Sequence, residues 1–398
     1  MNKLTVNDIE IQGKRVLMRV DFNVPLEGKR VASDKRIRAA LPTIQYILDK
    51  GGRLILMSHL GRPKGKKIPE MSLKPCVSVL EELLGEKVGF INDCVGSTVE
   101  TAVEKLENGE VLVLENLRYY KEETDNDPDF AKRLADIGDV YVNDAFGTAH
   151  RAHASTEGVT HHIDQCAAGY LLMKEIEFLG TVMKSPQKPF VAVLGGAKIT
   201  GKIDVIENLL PSVDHLIIGG GMAFTFFKAM GFEIGKSLLE EDKIGLAKTI
   251  LEKGAKKIAL PIDCIVSDYV DFKSKKTGPL QIAARDGISA DQMGLDIGPG
   301  SVKMFRDILS TARTVVWNGP MGVFEIEETA KGTYAIANIL AEITQKGAKT
   351  IIGGGDSASA VKNAGVADKI SHVSTGGGAS LEFLEGKVLP GVAALTDK

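Results

Sequence analysis

Charged and polar side chains collect where short apolar runs stop. In the first half of the chain, the run 15–20 is followed by Asp21, Phe22 and Asn23, and the run 53–57 by Ser58, His59, Leu60, Gly61 and Arg62. The run 111–114 leads to Glu115, Asn116 and Arg118, and the run 140–142 leads to Asn143 and Asp144, then His150, Arg151 and His153. Arg36 stands just after a turn at Asp34. A guanidinium is planar and always charged, and its fork of donors matches carboxylate and phosphate oxygens. If these ends converge, Arg36, His59, Arg62, Arg118 and Arg151 form a basic pocket for a small anion with several oxygens. A single arginine at a strand end is ordinarily a surface charge; the same pattern at five sites is harder to dismiss. His150 and His153 also fit HxxH, but zinc needs further ligands, and neither cysteine pairs nor an HExxH helix supply them.

The second half repeats a different chemistry. Its apolar runs end in Gly195-Gly196-Ala197-Lys198, Gly219-Gly220-Gly221, Gly319-Pro320, Gly353-Gly354-Gly355-Asp356-Ser357 and Gly376-Gly377-Gly378. Glycine lets backbone N–H groups approach a ligand closely, and each loop leads into a helix start, where the dipole favours anions. One such loop is often only a tight turn. Five in succession point to a nucleotide, with Lys198 and Lys202 as point charges and Asp356 with Ser357 as candidates to hold Mg²⁺. Gly196, Gly201 and Lys202 also fit GxxxxGK, but Ile203 stands where a P-loop needs Ser or Thr for the metal. No GxGxxG follows any of these runs, which disfavours a dinucleotide-dependent dehydrogenase.

The elements that must position these residues alternate. Near-continuous apolar runs at 15–20, 53–57, 111–114, 140–142, 190–194, 215–218, 257–260, 314–317, 350–352 and 371–373 read as strands buried on both faces. Helical patterns lie between them, for example 328–346, with Gly347 as its C′ residue. The predicted class is α/β: two Rossmann-like domains, each a parallel sheet flanked by helices, joined by a hinge helix. The predicted division is 1–169, an interdomain helix and linker at 170–188, and 189–384. Composition supports it: residues 1–169 hold 14 of the 43 glycines but five of the seven histidines.

The 398 residues, 44% hydrophobic and 25% charged, suit two ordinary globular domains. With 49 basic and 52 acidic residues, nothing global points to nucleic acid or an anionic membrane. Cys76, Cys94, Cys166 and Cys264 are widely spaced and read as buried thiols, not a disulfide framework, which points to a reducing cytoplasmic setting. No signal-peptide pattern opens the chain, and no apolar run reaches transmembrane length.

Taken together, the motifs resemble the phosphoglycerate kinase family from end to end. The resemblance rests on Arg19-Val20-Asp21-Phe22-Asn23-Val24-Pro25, on Ser58-His59-Leu60-Gly61-Arg62-Pro63 and on Gly147-Thr148-Ala149-His150-Arg151-Ala152-His153-Ala154-Ser155. It rests equally on Met293-Gly294-Leu295-Asp296-Ile297-Gly298-Pro299, Trp317-Asn318-Gly319-Pro320-Met321-Gly322-Val323-Phe324-Glu325 and Ser374-Thr375-Gly376-Gly377-Gly378-Ala379-Ser380. It implies that Asp21, Phe22, Asn23, Arg36, His59, Leu60, Gly61, Arg62, Arg118 and Arg151 bind 3-phosphoglycerate or its acyl phosphate. It implies that Lys202, Gly294, Glu325, Gly354, Gly355, Asp356 and Ser357 bind ATP or ADP, with Asp356 toward Mg²⁺. Arg36, Lys198, Gly376 and Gly377 would stabilise the transferring phosphoryl group. It further implies a monomer that closes its two domains over the substrates, and a tail at about 385–398 that returns to the first domain. Gly201, Tyr119, Tyr120 and Phe224 depart from the family pattern, and Phe224 bears on nucleotide preference. Two rival readings, a regulatory ATPase and a non-catalytic nucleotide-binding scaffold, are separated from this one by a coupled assay with 3-phosphoglycerate, ATP and Mg²⁺.

Overall fold

Six parallel strands build the first sheet, and the four inner ones are buried on both faces. In the computed structural model, which describes residues 2–398, these are β1 (Arg15–Arg19), β2 (Arg53–Met57), β3 (Gly89–Ile91), β4 (Val111–Leu114), β5 (Val140–Asn143) and β6 (Cys166–Ala168). Their order is β3-β4-β2-β1-β5-β6. Every residue of β4 and β5 is buried. From β1 the chain steps outward on one side and later returns to place β5 on the other. Such a reversal leaves a crevice beyond the carboxyl ends of the central strands. The edge strands β3 and β6 lie outside the sequence expectation; Gly-Phe-Ile and Cys-Ala-Ala are too short and too poor in β-branched residues to signal a strand.

The second sheet contains β7 (Phe190–Leu194), β8 (His215–Ile218) and β9 (Ile258–Ala259). An antiparallel sheet follows, made of β10 (Asp263–Ser267), β11 (Gln281–Ala284) and β12 (Met293–Ile297). The parallel sheet then resumes with β13 (Thr314–Asn318), β14 (Lys349–Gly353) and β15 (His372–Val373), in the order β9-β8-β7-β13-β14-β15. The reversal falls between β7 and β13, so the crevice opens at Gly195 and Gly319. The antiparallel sheet lies outside the sequence expectation: β11 is almost wholly exposed, and its apolar run is only Ile282-Ala283-Ala284.

The chain divides into two compact units. One contains the chain up to Glu177 and returns to include Val388–Lys398; the other is Phe178–Lys387. Within the first unit the tail is tied beside β6: Asn143 Nδ2 donates to the Gly391 carbonyl at 2.9 Å, and the Thr396 amide donates to the Cys166 carbonyl at 3.0 Å. The helix Tyr170–Lys184 starts against two polar side chains. The Tyr170 amide donates to Thr43 Oγ1 at 2.9 Å and the Leu172 amide to Asp144 Oδ1 at 3.0 Å. The predicted helix at 328–346 forms over Lys331–Gln345, after a 3₁₀ turn at Glu327–Thr329. Gly347, at φ +95°, ends it: its amide donates to Thr344 and that of Ala348 to Ile343, a Schellman closure that needs the left-handed backbone. Among the described residues no helix is long and apolar enough to cross a membrane, and all four cysteines are free and buried.

Candidate functional site

In the first unit the polar strand ends meet. Arg36 Nη1 donates to Asp21 Oδ2 at 2.6 Å. Asn23 Oδ1 accepts the Gly61 amide at 2.9 Å, and the Gly61 carbonyl accepts Arg118 Nη1 at 2.9 Å. Asn116 braces this turn, donating to the Leu60 and Met71 carbonyls at 2.7 and 2.8 Å. Arg151 Nε donates to His150 Nε2 at 3.1 Å. The side chains of Phe22 and Leu60 are buried in the core, so only their backbone can face a ligand. Arg62 is exposed on the loop beyond β2.

Cations crowd this region. His59 is 3% exposed, and burial first, then Arg19, Arg118, Arg36 and Arg151, hold its pKa well below the usual value. Burial followed by neighbouring arginines also lowers His150 to about 4 and His153 to about 3. Arg118 is pushed down to about 10 by burial and by Arg19 and Arg151. Arg118 Nε, His150 Nδ1 and His153 Nδ1 are buried without a hydrogen bond, His153 Nδ1 lying 3.8 Å from Glu123 Oε1. Such groups are costly unless something binds them, and the charged guanidiniums of Arg36, Arg118 and Arg151 around the neutral histidines suit an anion.

In the second unit a cavity of about 200 Å³ opens beyond β7 and β13. Its walls include Gly196, Gly220, Phe224, Gly294, Glu325 and Asp356. The glycines serve two purposes. A Cβ on Gly195 would lie 2.1 Å from the Pro320 carbonyl oxygen, and one on Gly220 would lie 2.6 Å from the Gly196 nitrogen, so these loops are glycine because they pack on each other. A Cβ on Gly196, Gly355 or Gly377 would meet nothing within 4 Å. There the backbone faces open space. Gly354, at φ +87°, is the N-cap of the helix Gly355–Asn363, whose first turn carries the exposed Asp356.

The remaining residues singled out in this half are placed as follows. Lys202 donates to Asn318 Oδ1, and burial lowers its ammonium to about 8. Asn318 Nδ2 is buried and unpartnered. Ser357 is fully buried, with its hydroxyl accepting the Gly319 amide at 2.6 Å, so it braces the β13 loop. The Gly376 amide donates to Ser374 Oγ at 3.1 Å, and Gly377 is the N-cap of Gly378–Leu384. Lys198 and Glu325 are exposed.

Several contributors were not singled out in the sequence. Arg19 lies fully buried against His59, with Ser155 and Glu123 fully buried behind it, and distant positions in the chain carry no signal of that proximity. Phe272 and Leu238 line the cavity; the former is a 63% exposed aromatic between Asp271 and Lys273, an unusual setting that could have been noticed. Asp296 is pushed up to about 7 by burial and accepts the Gly332 amide at 2.6 Å. Of the family departures, Tyr119 and Tyr120 donate to the Ile68 carbonyl and to Asp93, at 2.5 and 2.7 Å. Gly201 has open space around it, so the position does not demand glycine. Phe224 packs on Gly294 so closely that a Cβ there would lie 2.0 Å from the ring.

Parallel sheets with glycine-rich strand ends on one unit, and a cationic cluster on strand ends of another, define a phosphotransferase of the nucleotide-binding α/β type. Comparison with known proteins narrows this. The family model for phosphoglycerate kinase matches residues 6–387. The chain is 58% identical to the phosphoglycerate kinase of Chloroherpeton thalassium and 58% identical to that of Moorella thermoacetica, covering 100% of both chains in each case. The solved phosphoglycerate kinase structure from Coxiella burnetii superimposes with a TM-score of 0.89 at 41% identity, and that from Pyrococcus horikoshii with 0.84 at 33%, each covering 98% of both chains. The chain belongs to the phosphoglycerate kinase family, enzymes that transfer phosphate to a carboxyl group.

Proposed function

We propose that the chain catalyses reversible, Mg²⁺-dependent phosphoryl transfer between 1,3-bisphosphoglycerate with ADP and 3-phosphoglycerate with ATP, the glycolytic and gluconeogenic reaction. The observation that carries the reading is the basic cluster. Arg118 is pushed down to about 10 by burial and by Arg19 and Arg151, and it lies with Arg36 and Arg151 around a buried neutral His59, a cluster that suits an anion. We read that anion as 3-phosphoglycerate or its acyl phosphate, held by Asp21, Asn23, Arg36, His59, Gly61, Arg62, Arg118 and Arg151, a reading that family membership supports. The nucleotide occupies the second unit, against Gly294, Glu325 and the loop from Gly354 to Ser357.

The acceptor carboxylate, with an ordinary pKa near ~4, is already ionised at neutral pH, so no general base is needed. His59, kept neutral by its surroundings, binds and does not abstract a proton. Catalysis rests on alignment and on neutralising phosphoryl oxygens with Arg36, Lys198 and the amides around Gly376 and Gly377. Preorganised donors of this kind each contribute on the order of 3 kcal/mol. Donor and acceptor must come within about 3 Å, so the reading includes closure of the units and exclusion of water.

Among the described residues there is no cluster of three or more His, Cys, Asp or Glu able to cage a metal. The exposed carboxylate of Asp356 at the cavity wall fits Mg²⁺, which keeps waters and takes its other ligands from phosphate oxygens. When bound, the ion neutralises charge on those oxygens. A cytoplasmic monomer acting on small molecules, with no nucleic acid or membrane partner, completes the proposal. A coupled assay with 3-phosphoglycerate, ATP and Mg²⁺ tests it: turnover that requires all three is expected, and ATP hydrolysis indifferent to 3-phosphoglycerate would sink it.

A further inference from the structure

Beneath the basic cluster lies a buried chain of groups that the transfer chemistry does not use. Arg19, Glu123 and Ser155 have no exposed surface. Glu123 Oε1 accepts the Ser155 hydroxyl at 2.7 Å, and Oε2 accepts the Ser155 amide at 3.0 Å. Ser155 Oγ in turn accepts Arg19 Nε at 2.8 Å, while Arg19 Nη1 donates to the Val20 carbonyl. Arg19 Nη2 points at His59 Nδ1, 3.2 Å away, and lies 4.0 Å from Glu123 Oε1. Tyr141 pins the serine backbone by donating to the Ser155 carbonyl at 2.8 Å.

This geometry determines a proton position. A guanidinium is donor-only and stays charged in proteins. His59 Nδ1 must therefore offer its lone pair, since a proton there would set two donors face to face. The single ring proton of the neutral imidazole then sits on Nε2. The direction of the His59 pKa, held low by burial and four arginines, agrees.

We propose that Glu123, acting through Ser155 and Arg19, is a positioning residue that holds His59 in its neutral Nε2–H tautomer, so that the ring presents a donor to an anionic oxygen of the substrate. Glu123 also offsets the charge of Arg19, which otherwise is buried among cations. The link to the substrate rests on the function proposed above; the tautomer itself does not.

The test uses the full chain labelled with ¹⁵N-histidine. In the unsubstituted protein, the long-range proton–nitrogen spectrum of His59 is expected to show Nδ1 unprotonated and Nε2 protonated. In Ser155→Ala and Glu123→Gln, a second population with Nδ1 protonated should appear. The KM for 3-phosphoglycerate should rise on the order of tenfold, with kcat within about twofold. In a His59→Gln background, neither substitution should raise KM further. An Nδ1–H signal in the unsubstituted protein overturns the proposal even if both variants fail to fold. So does a KM penalty that persists in full without His59. Absence of any transfer to 3-phosphoglycerate would refute the proposed function instead, and the spectrum would still decide the tautomer.

Discussion

Asp144 offers a sharp test of how burial governs this fold. Its carboxyl is fully buried beneath the first turn of the helix Tyr170–Lys184. Oδ1 accepts the Leu172 amide at 3.0 Å, and Oδ2 is buried with no partner. Burial raises its pKa from 3.8 to about 7, against the weaker opposing effects of the Leu172 amide, the Thr43 hydroxyl and the Leu171 amide. Between those values the folded chain holds a proton that the unfolded chain has released. The stabilisation is therefore complete below 3.8 and is lost as pH rises toward 7. From pH 5 to pH 8 the loss is about 2 units at ~1.36 kcal/mol each, or roughly 3 kcal/mol. Asp144→Asn keeps the shape and the acceptor for Leu172 but does not titrate. The difference in unfolding free energy between Asn and Asp chains should therefore move by about 3 kcal/mol in favour of Asn between pH 5 and pH 8. Guanidinium unfolding of both chains at the two pH values, followed by circular dichroism, measures it. A difference that stays constant, or that moves in favour of Asp, would refute the argument that this carboxyl is held neutral.

Other outcomes follow from the same geometry. Lys198→Ala should lower kcat by about 10²–10³ with little change in either KM; steady-state kinetics with an unchanged kcat would remove Lys198 from the mechanism. Gly294→Ala forces a Cβ to within 2.0 Å of Phe224. It should cost about 1–3 kcal/mol of stability and raise the KM for ATP, and Phe224→Leu in the same chain should recover part of both. His59, His150 and His153 have lowered pKa values, so the unfolded chain binds more protons below pH 6.5 and stability falls as pH drops toward about 4 and about 3, the values for His150 and His153. Asp144 opposes this over part of the range, so thermal unfolding of Asp144→Asn should show a steeper acid loss than the unsubstituted chain.

The alternation of strands and helices was legible in the sequence because strands buried on both faces must be apolar throughout. That signal is strong in Val111–Leu114 and Phe190–Leu194. It fails for Gln281–Ala284, where exposure removes the pattern, and for edge strands of three residues. The polar residues after each strand were equally visible, because parallel sheets place ligands at their carboxyl ends.

The residue types and their order determine which chemistry is available: arginine forks for an anion in one half, and glycine loops for a nucleotide in the other. Only the tertiary structure separates the glycines that let loops pack, such as Gly195, from those that face open space, such as Gly377. Only it links Glu123 and Ser155 to His59 through Arg19 and leaves Arg62 exposed. The reason is range. Periodicity and turn chemistry act between near neighbours in the chain, whereas burial, pKa and tautomer depend on groups that folding brings together from positions as distant as Arg19 and Ser155.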